Sequence, residues 1–168
     1  MDETIAFQLV RGLSWTSRAI GYFGAGFYSH IDVVTPQGFL RGARSDWITP
    51  PGWARAIPPG FLDRPQHYEK WARATRFTVT VTEKQYQRYW DFSDAQLGKP
   101  YDSRGLVDTF IFGRDWRDDG KWWCSEEVAA NLEKALIVDL PDELQSVEPG
   151  DCAFIFAGLK AFRQEMPT

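Results

Sequence analysis

The sequence predicts an α+β fold, because strand patterns and helix patterns follow one another without a regular strand–helix–strand alternation. Four segments carry these patterns: the strands Thr4–Val10 and Arg76–Thr82, and the helices Glu83–Leu97 and Cys124–Leu136. The strand segments alternate apolar and polar residues, and Thr82 is placed to cap the helix that begins one residue later. The length of 168 residues suits a single domain that spans residues 1–168.

A β-hairpin is predicted between the first strand and the first of these helices. Tyr28–Val34 is rich in strand-forming residues, Thr35–Gly38 has proline and glycine where a type I turn favours them, and Phe39–Arg44 runs back. A turn centred on residues 36 and 37 predicts two opposed pairs: Asp32 with Arg41, and His30 with Ala43. The first pair is interpreted as a cross-strand ion pair.

The remaining segments are predicted from weaker signals. A helix capped by Ser14 is expected over Ser14–Phe23, and the proline- and aromatic-rich stretch Asp46–Arg64 is interpreted as a long irregular loop. Asp102–Gly120 is expected to be irregular or partly helical. Near the end of the chain, a turn is predicted to lead into a short strand, Cys152–Phe156, and a final helix covers about residues 158–164.

The composition argues against several classes of partner. The formal net charge is −4 without a long basic run, so a nucleic acid is not the expected partner, because phosphate binding needs clustered lysine and arginine. Two histidines and two cysteines at these spacings match no zinc site, and neither a metal nor another cofactor is expected. No apolar run is long enough to span a bilayer. The composition leaves the oligomeric state open.

The first residues bear on localisation. Met1–Thr4 is acidic and is not followed by the apolar segment of a signal peptide. The cysteines do not show the pattern of a disulfide-stapled secreted scaffold. The chain is therefore expected to be cytoplasmic as synthesised, and an activity outside the cell would require release or delivery by another system.

Cys124 is the candidate nucleophile, because it stands at the first turn of a predicted helix. The apolar face of that helix consists of Cys124, Val128, Leu132, Ala135 and Leu136. A helix N-terminus stabilises negative charge and so lowers the pKa of a thiol. Glu126 and Glu127 work against a thiolate, so the site needs a nearby cation, which a histidine usually supplies. The alternative is an inert buried cysteine, the commoner fate of this residue type, and this is the interpretation of Cys152.

His30 is the candidate base, because an imidazole titrates near neutrality and can accept the proton of a thiol. The alternative is a half-buried histidine with a purely structural role. His67 lies in a polar stretch and is interpreted as a solvated loop residue. A histidine base is normally oriented by a third polar group. On the predicted face of His30 we find only Ser45, with Asp46 one step beyond, so the third member stays unassigned.

Three short motifs together resemble a known family. The motifs are Tyr28–Ile31 (YSHI), Gly98–Asp102 (GKPYD) and Trp123–Glu126 (WCSE). In outline, residues 4–156 resemble the permuted branch of the NlpC/P60 superfamily, which includes YiiX-like and lecithin:retinol acyltransferase-like proteins. In that branch the histidine strand precedes the cysteine helix, and His30 precedes Cys124 here.

The resemblance implies a papain-like α+β fold, in which a helix beginning at Cys124 packs on an antiparallel sheet that carries His30. It implies Cys124 and His30 as the catalytic pair, with Tyr101 lining the substrate site. Tyr101 is equally well interpreted as a core tyrosine beside a turn. The family often has a polar residue about twelve positions after the histidine, where this chain has Gly42. Asp46, a backbone carbonyl or a water molecule would then orient His30.

Three functions follow as hypotheses. The first is a cysteine peptidase or amidase of bacterial or phage origin, acting on an amide bond such as one in a cell-wall peptide, with Cys124 and His30 carrying the chemistry. The second is the same chemistry on a lipid or acyl ester, as a thiol hydrolase or an acyltransferase. The aromatic loop Trp47–Phe61 would then form an apolar mouth, and the same loop is equally compatible with a sugar-binding groove. The third is a non-catalytic structural module, for example in a phage particle, which the missing third residue favours.

Overall fold

The computed structural model describes residues 2–13, 27–102, 121–140 and 147–167. Within these ranges the chain is α+β, with a six-stranded antiparallel sheet and three helices. The strands are β1 (Asp2–Gly12), β2 (His30–Val34), β3 (Leu40–Arg44), β4 (Gly60–Arg64), β5 (Trp71–Thr82) and β6 (Phe162–Met166), and the helices are α1 (Glu83–Gln96), α2 (Cys124–Lys134) and α3 (Pro149–Gly158). The predicted helix Ser14–Phe23 and nearly all of the predicted irregular segment Asp102–Gly120 lie outside the described residues.

The strands lie in the order β4-β3-β2-β1-β5-β6, and the three helices pack on one face of the sheet. Alternate residues of the long strands β1 and β5 point to that face, so each of these two strands contributes a row of apolar side chains to the core. Phe7 of β1 stacks on Phe156 of α3, with ring centroids 4.6 Å apart, and meets Tyr89 of α1 edge-on at 5.8 Å. These contacts fix α1 and α3 against the middle of the sheet.

The hairpin forms with the predicted turn, but its predicted register is wrong. The N–H of Gly38 donates to the carbonyl of Thr35 at 2.9 Å, which leaves residues 36 and 37 at the centre of a β-turn. Gly38 is left-handed, with a φ of 84°, and it adds a third residue to the loop, a common arrangement when a type I turn joins two strands. The observed pairs are Val33 with Arg41 and Val34 with Leu40.

This register moves Arg41 away from Asp32. Both predicted pairs, Asp32–Arg41 and His30–Ala43, are wrong by one residue. A shift of one residue moves a side chain to the other face of a sheet, and Arg41 accordingly lies on the helix side with Val33. There its guanidinium binds Asp63 of β4 (Nε to Oδ1, 2.6 Å) and Asp94 of α1 (Nη1 to Oδ1, 2.5 Å).

The two predictions for the C-terminal segment are also wrong. The expected strand Cys152–Phe156 lies within α3, and the expected helix over residues 158–164 overlaps β6. Glu148 forms a capping box with Asp151, and a proline occupies the first turn of α3, both of which favour a helix start. A short apolar run does not distinguish a buried strand from a helix. β6 forms through its long-range pairing with residues 74–78 of β5.

Two further boundaries differ from the prediction. The predicted irregular loop Asp46–Arg64 ends in β4, and an isolated bridge joins Ile48 to Ile57 within it. Helix α2 ends at Lys134, and Leu136 beyond it is left-handed and exposed. Leu136 is therefore not part of the apolar face of α2, whose other members are buried in the core.

Candidate active site

The start of β2 and the start of α2 bring His30 and Cys124 together. The side chain of His30 lies close enough to the thiol of Cys124 for each group to shift the pKa of the other, and the backbone of Ile31 also helps to lower the pKa of the thiol. Both residues are 7% exposed. The two residues predicted from the sequence are therefore neighbours, in a site largely shielded from water.

Asp32, which we did not assign from the sequence, orients the imidazole. Its Oδ1 lies 2.8 Å from Nε2 of His30, which leaves Nδ1 as the ring nitrogen for Cys124. The expected candidates have other surroundings: Ser45 is exposed, and the carboxylate of Asp46 binds Arg44 (Oδ1 to Nε, 3.1 Å). Residues i and i+2 of a strand point to the same face. The His-x-Asp spacing is therefore the sequence signal from which this pair could have been predicted.

Buried charges set the protonation states of the site. Burial lowers the pKa of His30, but the negative charges of Asp32 and Cys124 outweigh it and raise that pKa to about 9. Burial raises the pKa of the Cys124 thiol, while the charge and hydrogen bond of His30 bring it below its usual value. Burial also raises the pKa of Asp32, and the charges of His30 and Arg64 hold it below its usual value. The arrangement favours a thiolate–imidazolium pair backed by a carboxylate.

A second set of polar side chains holds the other oxygen of Asp32. The hydroxyl of Tyr68 donates to Oδ2 of Asp32 at 2.8 Å and accepts from Nη1 of Arg44 at 3.1 Å. Arg44 also binds Glu69, with Nη1 to Oε1 at 2.7 Å, and Asp46. Because Tyr68 lies 36 residues beyond Asp32, no local sequence pattern indicated this contact.

Gly42 lies beside the same carboxylate. A Cβ on residue 42 would overlap Oδ1 of Asp32 and would lie 3.0 Å from the carbonyl oxygen of Ile31. The space that a side chain at position 42 would occupy is therefore taken by the carboxylate of Asp32. Arg64 closes this region: it is fully buried, and its guanidinium donates to the carbonyls of Gly42 (2.7 Å), Leu62 (3.1 Å) and Gly60 (3.0 Å).

Tyr101 and the acidic residues of α2 complete the surroundings of the thiol. Tyr101 is half-buried and bridges to Trp122, two residues before Cys124. Burial, and then the negative charge of Cys124, raise the pKa of its phenol well above the usual value. Burial likewise raises the pKa of Glu127 well above the usual value. The expected opposition of Glu127 to the thiolate is therefore weakened, because burial favours the neutral form of this carboxyl group.

The other sulfur and the other imidazole lie elsewhere. Cys152 is fully buried in the core, where burial raises the pKa of its thiol well above the usual value. His67 is exposed, as predicted for a loop residue. Only Cys124 thus combines a contact to histidine with a lowered pKa.

Among solved structures, the chain is similar to the crystal structure of metalloprotein YiiX from Escherichia coli O157:H7. The TM-score is 0.56, with 22% identical residues over 81% of this chain and 67% of that one. The fold is YiiX-like. This agrees with the YiiX-like branch that the motifs resemble. Neither a family model nor a curated protein sequence matches the chain.

YiiX is described as a metalloprotein, so we tested the residues of this chain as metal ligands. Within residues 2–13, 27–102, 121–140 and 147–167, no three His, Cys, Asp or Glu side chains are placed to hold a metal ion together. Both carboxylate oxygens of Asp32 are already bound, one by His30 and one by Tyr68. The described residues around Cys124 therefore do not fit a resident metal. In the same described ranges, no helix is long and apolar enough to cross a membrane.

Proposed function

We propose that the protein is a cysteine hydrolase that cleaves an acyl bond through a thioester on Cys124. One arrangement supports this: His30 lies beside Cys124 and lowers the pKa of its thiol, while Nε2 of the imidazole binds Oδ1 of Asp32 at 2.8 Å. A nucleophile, a base and an orienting carboxylate are recognised by their mutual geometry and not by their sequence order. The presence of Asp32 also removes the main support for a non-catalytic module, which was the lack of a third polar group.

The reaction would proceed in two halves. The thiolate of Cys124 attacks the carbonyl carbon, and the electron pair of the carbonyl moves onto its oxygen, where the backbone N–H at the start of α2 stabilises it. His30 then protonates the departing amine or alcohol as its bond to carbon breaks, which leaves a thioester. In the second half, His30 removes a proton from water, the resulting hydroxide attacks the thioester, and the thiolate leaves.

An amide is the bond that we propose first, with a bacterial cell-wall peptide as one example. An amine is a poor leaving group and needs a proton from a general acid as the bond breaks. His30, whose pKa is raised to about 9, carries that proton at neutral pH. Because the motif Gly98–Asp102 resembles the permuted NlpC/P60 branch, we also propose that Tyr101 lines the substrate site beside Cys124.

A lipid or other acyl ester is the second candidate, and exposed aromatic residues favour it. Phe27 is 71% exposed three residues before His30, and Trp47 is 68% exposed next to Asp46. Trp53, in the same loop as Trp47, is 49% exposed. Exposed aromatic side chains this close in sequence to His30 and Asp46 could contact an apolar acyl chain at the site.

An electrophilic acyl probe tests the proposal, with the two cysteines as matched controls. The probe should form a covalent adduct with the wild type and with Cys152→Ala, and none with Cys124→Ala. Hydrolysis of muropeptides, compared with phospholipids and acyl thioesters, then distinguishes the two substrate classes. Equal labelling of both cysteines in the folded protein, or labelling of neither, would contradict a catalytic role for Cys124.

A further inference from the structure

We propose that Gly42, Tyr68 and Arg44 form a seat for Asp32, which fixes the position of its carboxylate against His30 and keeps that carboxylate ionised. This inference rests on the proposed roles of Cys124 and His30. The three residues act through Asp32, so they are positioning residues and not catalytic ones.

Gly42 shapes the seat on the side of Oδ1. This oxygen binds Nε2 of His30 at 2.8 Å and also fills the space that a Cβ on residue 42 would need. The carbonyl of Ile31, 3.0 Å from that Cβ position, belongs to the backbone of β2 and is held by the sheet. A larger residue at position 42 must therefore displace the carboxylate of Asp32, and with it the orientation of the imidazole.

Tyr68 closes the seat on the side of Oδ2, and Arg44 fixes the direction of its hydrogen bond. A guanidinium has donors and no acceptor, so the hydroxyl of Tyr68 accepts from Arg44 and its single proton points to Asp32. The ring of Tyr68 is held edge-on against Trp71, with centroids 5.6 Å apart. A hydrogen bond of this kind favours the ionised form of a carboxyl group.

Arg44 is held independently of Tyr68. Its Nε and Nη2 bind the two oxygens of Asp46, at 3.1 and 3.3 Å, and Nη1 and Nη2 bind the two oxygens of Glu69, at 2.7 and 3.1 Å. Removing the hydroxyl of Tyr68 therefore leaves Arg44 in place. Tyr68→Phe therefore removes one hydrogen-bond donor to Asp32 and leaves the ion pairs of Arg44 intact.

Several titratable or charged groups face Asp32 from the surrounding elements. They are His30 of β2, Arg64 of β4, Tyr68 before β5, and Cys124 and Glu127 of α2. Of these, Tyr68 and Glu127 can be changed to isosteres without removing a charged group or the nucleophile, and of the two it is Tyr68 that donates a hydrogen bond to Asp32. Its effect on pH dependence is consequently the most direct measure of the seat.

The experiment follows the rate at which iodoacetamide alkylates Cys124 as a function of pH, with the modified peptide identified by mass spectrometry. Without its hydrogen bond, the carboxyl group of Asp32 takes up a proton at higher pH and His30 loses its partner. The acid limb of the rate profile should therefore move to higher pH in Tyr68→Phe. We expect a shift of about one pH unit, which corresponds to the free energy of a hydrogen bond to a charged group.

Gly42→Ala is tested in two backgrounds. It should slow alkylation at neutral pH in the wild-type chain and have little further effect in the Asp32→Ala chain, where Oδ1 is absent. Gly158→Ala is the matched control, because a Cβ there meets no atom within 4 Å, and it should behave as wild type. Near-ultraviolet circular dichroism checks that each variant is folded.

The outcomes separate this inference from the proposed function. If wild-type Cys124 is alkylated with the pH dependence of an ordinary thiol, the thiolate pair is absent and the proposed function fails. If the wild type has the lowered limb but Tyr68→Phe leaves it unmoved, the seat is wrong. A Gly42→Ala effect of equal size in both backgrounds would also overturn it, and Tyr68→Phe decides alone should Gly42→Ala not fold.

Discussion

Two carboxyl groups near Cys124, those of Asp32 and Glu127, are both fully buried, at 0% exposure, yet their pKa values are shifted in opposite directions. Asp32 is bonded at both oxygens, by His30 and by Tyr68. Glu127 accepts a hydrogen bond from Asn131 at Oε1, while Oε2 has no hydrogen-bond partner among the described residues. The two groups therefore differ in their partners and not in their burial.

The pKa values follow that difference. Burial raises the pKa of both groups, and the charges of His30 and Arg64 bring that of Asp32 below its usual value. For Glu127, the hydrogen bond from Asn131 and the charge of Arg41 do not compensate for burial, so its pKa stays well above the usual value. Complementary charge, and not exposure, decides which buried carboxyl group is ionised.

This contrast suits a thiolate site. An ionised carboxylate behind His30 stabilises the imidazolium, whereas a second negative charge on α2 would raise the pKa of Cys124. Helix α2 therefore begins with a thiol whose pKa is lowered and buries, three residues later, a carboxyl group whose pKa is raised. If their partners cause this contrast between Asp32 and Glu127, substitutions of single residues in this region should have different effects on activity, stability and titration.

Replacing each carboxyl group by its isosteric amide should have very different effects on activity for Asp32 and for Glu127. We expect Asp32→Asn to lower kcat/KM on an acyl substrate by about 10³–10⁴-fold, since an amide neither stabilises the imidazolium nor fixes its tautomer. Glu127→Gln should change kcat/KM by no more than a few fold, because it replaces one neutral group by another. Steady-state kinetics of both variants test this, and similar losses in the two would contradict the contrast.

Arg64 should be the largest contributor to stability in this region. We expect Arg64→Met to lower the free energy of unfolding by about 3–5 kcal/mol, because the buried Asp32 loses a positive neighbour and three backbone carbonyls lose their donor. Arg163→Met on the exposed strand β6 is the control, with an expected loss of at most about 1 kcal/mol. Urea unfolding measures both, and equal losses would argue against a structural role for Arg64.

The sequence was sufficient to predict most of the sheet and both members of the thiol–imidazole pair. The long strands and α1 have clear hydrophobic periodicity. Cys124 begins a segment whose apolar spacing predicts a helix. Asp32 was missed through a register error of one residue, because the left-handed Gly38 adds a residue to the loop. The assumed ion pair with Arg41 then concealed a His-x-Asp pair that strand alternation alone indicates.

The rest of the site depends on contacts between distant parts of the chain. Tyr68 reaches Asp32 across 36 positions, and Arg64 reaches Gly42 across 22. β6 likewise exists through its pairing with β5. Local propensity does not determine such contacts, because their free energy comes from packing that only the folded chain provides.

The charge of Asp32 should also appear in the titration of His30. With two histidines in the chain, a His67→Gln variant assigns the imidazole signals in an NMR titration. We expect a pKa of about 9 for His30 in the wild type, and a value well below this in Asp32→Asn, because the remaining burial favours the neutral ring. Hydrolysis should accordingly decline above about pH 9 in the wild type as the general acid deprotonates. An unchanged titration in Asp32→Asn would contradict the contrast.

The smallest expected effect is on the pH dependence of the free energy of unfolding. Its sign should differ between Glu127 and Asp32. The folded pKa of Glu127 is raised, so the folded chain keeps a proton that the unfolded chain releases above its own pKa, and the free energy of unfolding falls as pH rises. Glu127→Gln removes that fall and should stabilise the protein at pH 8, by roughly 1 kcal/mol, with little change near pH 4.

Asp32 should behave in the opposite way in the same urea titrations. Its folded pKa is lowered, so its stabilisation is present above the pKa of the unfolded carboxyl group and is lost as pH falls through the folded value. Asp32→Asn should therefore destabilise the protein most at neutral pH and least in acid. If the two variants shift stability in the same direction with pH, the partners of Asp32 and Glu127 do not set their charges, and the carboxylate behind His30 needs another explanation.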